Sequence, residues 1–119
     1  MGTPEENKQL VLRRIEAQNA GDAERLARLT HADFFDHDER RRAGRIEPLD
    51  IVAEDDRVVV RARVDADGCV SSEIHIWRLA SGLVVEHWCG GDVRFPRLPR
   101  PGAARVAPVR SRMRGEGGQ

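Results

Sequence analysis

Three short turn signals divide the second half of the chain into four segments of similar length. They are Asp55-Asp56, Asp67-Gly68 and Ser81-Gly82. The segments between them are rich in β-branched and aromatic residues that alternate with polar ones. Two-residue turns of this kind join neighbouring antiparallel strands. Residues 46–92 are therefore predicted to form a four-stranded antiparallel meander.

A strand register follows if each turn is a two-residue hairpin loop. Ala53 then faces Val58, Val60 faces His75, and His75 faces Trp88. A one-residue slip would exchange the two faces of the sheet, so agreement of three turns on one apolar face supports the meander. The predicted inner face collects Leu49, Ile51, Ala53, Val58, Val60, Ala62, Val64, His75, Trp77, Leu79, Val84, Glu86, Trp88 and Asp92.

The first thirty residues carry helix signals. Thr3 is placed as an N-cap, Pro4 at the first helical position and Glu6 at the capping-box position. Gly21 is a helix stop, and Asp22 can cap a second, short helix. The fold class is therefore predicted as α+β, with two N-terminal helices packed on the inner face of the sheet.

The segment between helices and sheet contains a candidate site residue. Phe34 and Phe35 are expected to anchor residues 31–38 to the core. His37, flanked by two aspartates, is either a surface histidine in an acidic turn or part of a site. Residues 38–45 hold four arginines but no interleaved stacking aromatics, so a solvated loop is favoured over a nucleic-acid contact.

Three polar residues fall on the predicted inner face, namely His75, Glu86 and Asp92. A carboxylate that faces an apolar interior has its charged form disfavoured, which suits it to proton transfer. Each residue also has a structural alternative: a satisfied core histidine, a glutamate paired with an arginine if a bulge turns it outward, and a strand-end cap. The histidines lack metal-ligand spacing such as HxH or HExxH, so no metal is expected.

The opposite face of the sheet carries an apolar cluster of Val59, Ile74, Ile76 and Val85, rimmed by arginines. Clustered apolar residues on a flat sheet are typical of an interface. This face is predicted to be the interface of a homodimer.

Composition bounds the class of protein. A chain of 119 residues suggests one domain, and neither a membrane span nor a secretory signal is visible in it. Two cysteines, Cys69 and Cys89, are too few for a disulfide framework, which favours free thiols in a cytoplasmic protein.

Charge is unevenly distributed along the chain. Residues 93–119 hold seven arginines and one acid, a net charge of +6, which leaves 13 basic and 19 acidic groups and a net charge of −6 in the first 92 residues. Residues 1–93 are predicted to form the domain, and residues 94–119, rich in Arg, Pro and Gly, a disordered tail. The tail could contact nucleic acid weakly, but no nucleic-acid or membrane partner is expected.

Three segments resemble a known family. IEAQNAGDAERLARLTHADFFDHD, EDDRVVVRARV and IHIWRLASGLVVEHWCGGD are similar to the SnoaL-like polyketide cyclases of the nuclear transport factor 2-like superfamily. The last segment carries the most specific motif: Trp77-Arg78, the turn glycine Gly82, Glu86-His87-Trp88, and an acid, Asp92, four residues on. The resemblance covers most of residues 5–92, with gaps.

The resemblance implies a cone-shaped fold in which a curved sheet wraps helices around a ligand pocket. It implies that Asp92 matches an acid that abstracts a proton next to a carbonyl, leading to intramolecular aldol closure without metal or cofactor, and that His37 faces the pocket. The expected catalytic residue is thus Asp92, assisted by His37 or by His75, whose candidacy rests on the predicted register alone. The expected ligand is a small apolar carbonyl compound, and its expected contacts are Trp77, Trp88 and Phe34.

Two family elements are shortened in this chain. Members usually have a third helix where this chain has only DERRRAGR, and a longer Gly- and Pro-rich segment where this chain has a tight DADG turn. Both normally wall the pocket, so a shallower cavity is expected. The alternative function is therefore a non-catalytic small-molecule binding or dimerisation module of the same fold. A nucleic-acid binder acting through the tail is a third hypothesis.

Overall fold

The computed structural model describes residues 2–38, 44–66 and 68–96, with side chains as far as residue 91. Two helices, α1 (Pro4–Ala20) and α2 (Ala23–Arg28), precede five strands. The sheet has the order β1-β5-β4-β3-β2. The α+β class is confirmed, whereas the predicted number of four strands is wrong. The strands are β1 (Thr30–Asp36), β2 (Arg45–Glu54), β3 (Arg57–Ala66), β4 (Cys69–Ala80) and β5 (Leu83–Pro96).

Both predicted helix starts are confirmed. The Thr3 hydroxyl accepts a hydrogen bond from the Glu6 amide at 3.1 Å, and the Glu6 carboxylate accepts one from the Thr3 amide at 2.9 Å. This reciprocal pair satisfies two amide groups that the first turn leaves unpaired. Helix α1 ends at Gly21 with φ of 67°, a left-handed conformation that glycine adopts without strain. Asp22 then caps α2 through the Arg25 amide.

The strand that the sequence did not predict is β1. It lies at the edge of the sheet and runs parallel to β5, with Asp36 paired to His87. The Val84 amide donates to the Leu29 carbonyl at 3.1 Å, and the His37 amide donates to the His87 carbonyl at 2.8 Å. This pairing places Asp36 beside the middle of β5.

The three predicted turns are confirmed as far as they are described. Glu54 pairs with Arg57 and Ala80 with Leu83, so each pair closes a two-residue loop. Ser81 has a positive φ, as does Gly82 after it, which is the backbone that a tight antiparallel turn requires. The predicted pairs Ala53–Val58 and Val60–His75 are also present.

The predicted register between β4 and β5 is wrong from Glu86 onward. Leu79 pairs with Val84, but Arg78 pairs with Glu86, which leaves Val85 as an extra residue in β5. Such a bulge shifts every following residue by one position. His75 therefore pairs with Cys89 instead of Trp88, and the two faces of β5 are exchanged beyond the bulge.

A second irregularity lies near the end of β5. Ile74 pairs with Gly90 and Ser72 with Val93, so Gly91 and Asp92 together face Glu73. Gly91 has φ of 75°, a conformation that favours glycine at this bulge. Strand β5 continues to Pro96, beyond the predicted domain end at residue 93. The tail predicted to be disordered and to contact nucleic acid lies almost entirely outside the described residues. Most of the predicted charged loop, residues 38–45, also lies outside them.

The core lies between α1 and the inner face of the sheet. Val11 and Ile15 of α1 belong to one buried cluster with apolar residues of strands β2 to β5. Val85 is buried as well, so it does not belong to the exposed cluster that was predicted for dimerisation. None of the described helices combines the length and the apolar character that crossing a membrane requires. The buried apolar residues of the sheet include Ile46, Val58, Val60, Ala62, Val64, Trp77, Leu79 and Val84.

Candidate active site

A cavity of about 330 Å³ opens between α1, α2, β1 and the inner face of the sheet. This volume lies at the lower end of the range of roughly 300–1,000 Å³ that is typical of small-molecule sites. Its wall is unusually polar for the inner side of a sheet. The polar residues that line it are Arg14, Gln18, Asp36, Asp38, Glu73, His75 and His87, together with the indole of Trp77.

Four of these side chains form a continuous hydrogen-bonded chain. Asp36 Oδ1 lies 2.8 Å from His87 Nδ1, and His87 Nε2 lies 2.8 Å from His75 Nδ1. His75 Nε2 lies 3.0 Å from Glu73 Oε1. The exposed fraction of the side chains falls along the chain from 45% at Asp36 through 10% and 5% to 2% at Glu73. The chain thus runs from solvent into the interior, and we call it the buried relay.

Three features of the backbone assemble the buried relay. Glu73 and His75 alternate along β4 and so share its inner face. The bulge at Val85 turns His87 onto the same face, and the parallel pairing of β1 brings Asp36 alongside His87.

The hydrogen bonds of the buried relay fix its proton count. Three bonds need three protons, and two neutral imidazoles supply only two of them. One further proton must therefore lie on one of the four groups. It can lie on Asp36, His87, His75 or Glu73 with every bond retained. The relay can thus pass a proton along its length without breaking a contact.

His75 is a poor place for that proton to rest. Burial is the main cause that lowers the pKa of the His75 imidazole, and the nearby His87 lowers it further, while Glu73 acts in the opposite direction. The ring is nearly parallel to those of Trp77 and His87, with 5.3 Å and 5.1 Å between the centroids. Burial and the neighbouring His87 therefore disfavour the protonated form of His75.

A buried cation lies on the helix side of the cavity. Arg14 is 8% exposed, its Nε donates to the Thr30 hydroxyl at 3.2 Å, and its guanidinium carbon lies 5.0 Å from the centroid of the Phe34 ring. Burial lowers the pKa of Arg14, and Asp36 partly offsets this. Phe34 is partly buried against the core, as predicted, whereas Phe35 is 59% exposed, so its predicted anchoring to the core is wrong. The cavity thus holds a desolvated positive charge near the accessible end of the buried relay.

Trp77 contributes a donor that lacks an acceptor. Its side chain is 1% exposed and lines the cavity, on the inner face where the register placed it. Its indole Nε1–H is buried and makes no hydrogen bond with any of the described residues. Leaving a buried donor unpaired costs about 1–3 kcal/mol, so such groups call for a partner.

Two predicted site residues lie on the opposite face of the sheet. His37 stacks on Trp88 with 4.8 Å between ring centroids, and its Nε2 lies 2.8 Å from Glu86. Trp88 is paired across the sheet with Ile76, which points away from the cavity. The prediction that Trp88 and Glu86 face inward is wrong because of the bulge at Val85. The implied position of His37 in the pocket is wrong as well.

The structural alternative for Glu86 is confirmed. The Arg78 Nε donates to Glu86 Oε1 at 2.6 Å on the outer face. Hydrogen bonds from His37 and then from Arg78 lower the pKa of the Glu86 carboxyl. We call His37, Arg78, Glu86 and Trp88 the outer cluster.

The catalytic role predicted for Asp92 stays a prediction. Its backbone lies in β5 directly after Gly91, and its side chain lies outside the described part of the structure.

Sequence reasoning missed Asp36, Glu73 and His87. Alternation along β4 could have identified Glu73, which stands two residues before His75 on the same face. No local signal marks the bulge that turns His87 inward or the parallel strand that carries Asp36.

Comparison with known proteins defines the fold. The sequence matches no protein-family model and no curated protein. Its structure, however, is similar to many solved ones. One is an NTF2-like protein of unknown function from Cytophaga hutchinsonii, with a TM-score of 0.65, 14% identity, and 72% of this chain and 89% of that chain covered.

Two further structures carry proposed activities. A proposed polyketide cyclase from Sinorhizobium meliloti matches with a TM-score of 0.63 and 17% identity, over 69% of this chain and 94% of that chain. A proposed ketosteroid isomerase from Kribbella flavida matches with a TM-score of 0.66 and 15% identity, over 91% of this chain and 93% of that chain. The chain has the nuclear transport factor 2-like fold. This is the fold that its resemblance to the SnoaL-like polyketide cyclases implied.

Proposed function

We propose that this protein is a small-molecule enzyme that moves protons at a carbon next to a carbonyl group. The reaction is of the polyketide cyclase or isomerase type, ending in intramolecular aldol closure where the substrate carries a second carbonyl. The observation that carries the proposal is the buried relay in the wall of a cavity that Arg14 and Trp77 also line.

The cavity offers each group that this chemistry needs. The carbonyl oxygen of the substrate faces the positive charge of the Arg14 guanidinium, which lines the cavity. The Asp36 carboxylate, the accessible end of the relay, takes the proton from the neighbouring carbon. The electron pair of the broken C–H bond moves to the carbonyl oxygen, which becomes an enolate. Fixed donors at the position where negative charge develops are a large contribution to such reactions.

In the second half of the reaction, the buried relay returns a proton to the substrate. In a cyclisation, the enolate carbon attacks a second carbonyl of the same molecule, and the new alkoxide takes a proton from the relay. In an isomerisation, the proton returns to a different carbon. Either way, the relay begins and ends with the same number of protons, so these steps need no oxidant or reductant.

Exchange of carbon-bound protons tests the proposal without knowledge of the natural substrate. A panel of small cyclic ketones and β-dicarbonyl compounds is incubated with the protein in D₂O containing a chelator, and loss of the α-proton signal is followed by NMR. We expect exchange above the buffer rate, and we expect Asp36→Asn to slow it by about 10²-fold or more. Asp33→Asn is the matched control, because Asp33 lies on the same strand and its side chain is 86% exposed.

Each outcome separates the hypotheses. Exchange that survives Asp36→Asn and is lost in Asp92→Asn would move the base to Asp92, as the sequence predicted. Saturable binding of a carbonyl compound with no exchange would favour the alternative, a non-catalytic binding module of the same fold. Equal losses in Asp33→Asn and Asp36→Asn would contradict a specific role for the relay.

A further inference from the structure

We infer that Glu73, His75 and Cys89 form a binding site for a divalent cation of the zinc type. The three residues offer one oxygen, one nitrogen and one sulfur, and these ligand atoms lie within 4.8 Å of one another. Glu73 and His75 are 2% and 4% exposed, and Cys89 is half-buried. The site goes beyond the proposed function, and it shares Glu73 and His75 with the buried relay.

The distances between the three ligand atoms suit a tetrahedral ion. His75 Nε2 lies 3.0 Å from Glu73 Oε1 and 3.7 Å from Cys89 Sγ, and the sulfur lies 3.3 Å from the same oxygen. Zinc bonds of about 2.3 Å to sulfur and about 2.0–2.2 Å to nitrogen and oxygen give tetrahedral edges of roughly 3.3–3.6 Å. Each observed distance is within about 0.4 Å of such an edge. Three protein ligands leave a fourth position, and Glu73 and His75 both line the cavity.

The rest of the buried relay orients the nitrogen ligand. A histidine that binds metal through one ring nitrogen usually donates the other N–H to a carboxylate, a carbonyl or water. Here His75 Nδ1 lies 2.8 Å from His87 Nε2, and His87 Nδ1 lies 2.8 Å from Asp36. With Asp36 ionised, both imidazoles donate toward it. This leaves the lone pair of His75 Nε2 directed at Glu73 and Cys89.

Charge is conserved when a divalent ion enters. In its metal-free form, the cluster holds the additional proton of the relay and the thiol proton of Cys89, which donates to Glu73 Oε1. A cation with two positive charges can replace both protons, so the charge of the buried cluster does not change. Thiolate and imidazole ligands favour zinc over magnesium or calcium. Glu73 and His75 lie on β4 and Cys89 lies on β5. Because the ligands come from two strands, the site needs no local HxH or HExxH motif.

Cobalt provides a direct probe of the sulfur ligand. The full-length protein is treated with a chelator, dialysed and titrated with Co²⁺, and the thiolate-to-metal charge-transfer band in the near ultraviolet is followed. We expect one Co²⁺ per chain with this band, displacement of Co²⁺ by Zn²⁺, and release of about two protons per Zn²⁺ bound. No substrate is present, so a failure here is distinct from a failure of the proton-exchange assay.

Two cysteine variants make the test specific. Cys89→Ser is expected to abolish the charge-transfer band. Cys69→Ser changes the half-buried thiol at the start of β4 and is expected to keep the band. His87→Gln is expected to weaken Zn²⁺ binding by about 10–100-fold, because His87 orients His75 without binding the ion. Absence of the band in the wild-type protein would overturn the inference. So would a band that survives Cys89→Ser and disappears in Cys69→Ser.

Discussion

At the scale of single residues, Glu86 shows how one side chain reports the register of a strand. It accepts hydrogen bonds from His37 and Arg78 at 2.8 Å and 2.6 Å on the outer face. These contacts favour the ionised carboxylate, which is why its pKa lies below the ordinary value of 4.5. If Glu86 faced inward, as in the predicted register, burial would disfavour its ionised form and raise its pKa instead. The direction of the shift therefore distinguishes the two registers.

The acid stability of the protein is expected to depend on Glu86. Because its pKa is lower in the folded protein than in the unfolded chain, the contribution of Glu86 is fully present above about pH 4.5. It is lost as the pH falls through the folded-state value. Urea unfolding measured at a series of pH values is expected to show a shallower decline below about pH 4.5 in Glu86→Gln than in the wild type.

A matched variant isolates this effect. Glu24 is also paired with an arginine, Arg28 at 3.8 Å, but its side chain is 87% exposed. Exposed helix pairs of this kind contribute little. Glu24→Gln is therefore expected to keep the wild-type decline, and an equal change in both variants would contradict the assignment.

At the scale of elements, the bulge at Val85 decides which residues form the candidate site. Val84 and Val85 are both buried, at 0% and 7% exposure, although neighbours on a regular strand point to opposite faces. The extra residue sends Glu86 and Trp88 outward and turns His87 toward the cavity. One inserted residue thus separates the buried relay from the outer cluster.

Deletion of Val85 is expected to destabilise the protein far more than truncation of its side chain. The deletion would break the His75–His87 contact and turn the Glu86 carboxylate into the core, at a cost of at least about 3 kcal/mol. Val85→Ala removes two methyl groups from a buried position and is expected to cost about 1–3 kcal/mol. The free energy of unfolding in urea measures both. Equal losses in the two variants would contradict a role for the bulge in setting the register.

Sequence reasoning reached the parts of the sheet that turn chemistry determines. Asp55-Asp56 and Ser81-Gly82 favour tight turns by their own backbone preferences, so the pairs beside them were predicted correctly. The bulge depends on packing on both faces of the sheet, and the local sequence VVEHW, residues 84–88, contains no signal that predicts it. Strand β1 is short and pairs with a strand fifty residues away, which local periodicity does not reveal. The site residues contributed by these two features were missed for the same reason.

At the scale of the whole molecule, the sheet presents two faces of different character. The inner face holds the core and the buried relay. The outer face carries an apolar row in which Val52, Val59 and Ile76 are aligned across three strands, with Ile74 beside it. Val52 and Ile74 are 60% and 40% exposed. The predicted homodimer would cover this row, which now lacks Val85 and contains Val52.

Self-association through the outer face is expected to be sensitive to a charge at its centre. Burying an unpaired carboxylate at an interface is costly, so Ile74→Asp is expected to raise the dimer dissociation constant at least about ten-fold. Leu49→Asp is the control, because Leu49 is similarly exposed at 45% but lies on β2 outside the row. Sedimentation velocity over a range of protein concentrations measures both. A wild-type protein that is monomeric at every concentration would contradict the prediction. Equal weakening of the dimer by Ile74→Asp and Leu49→Asp would contradict it as well, because the contact would then not be specific to the row.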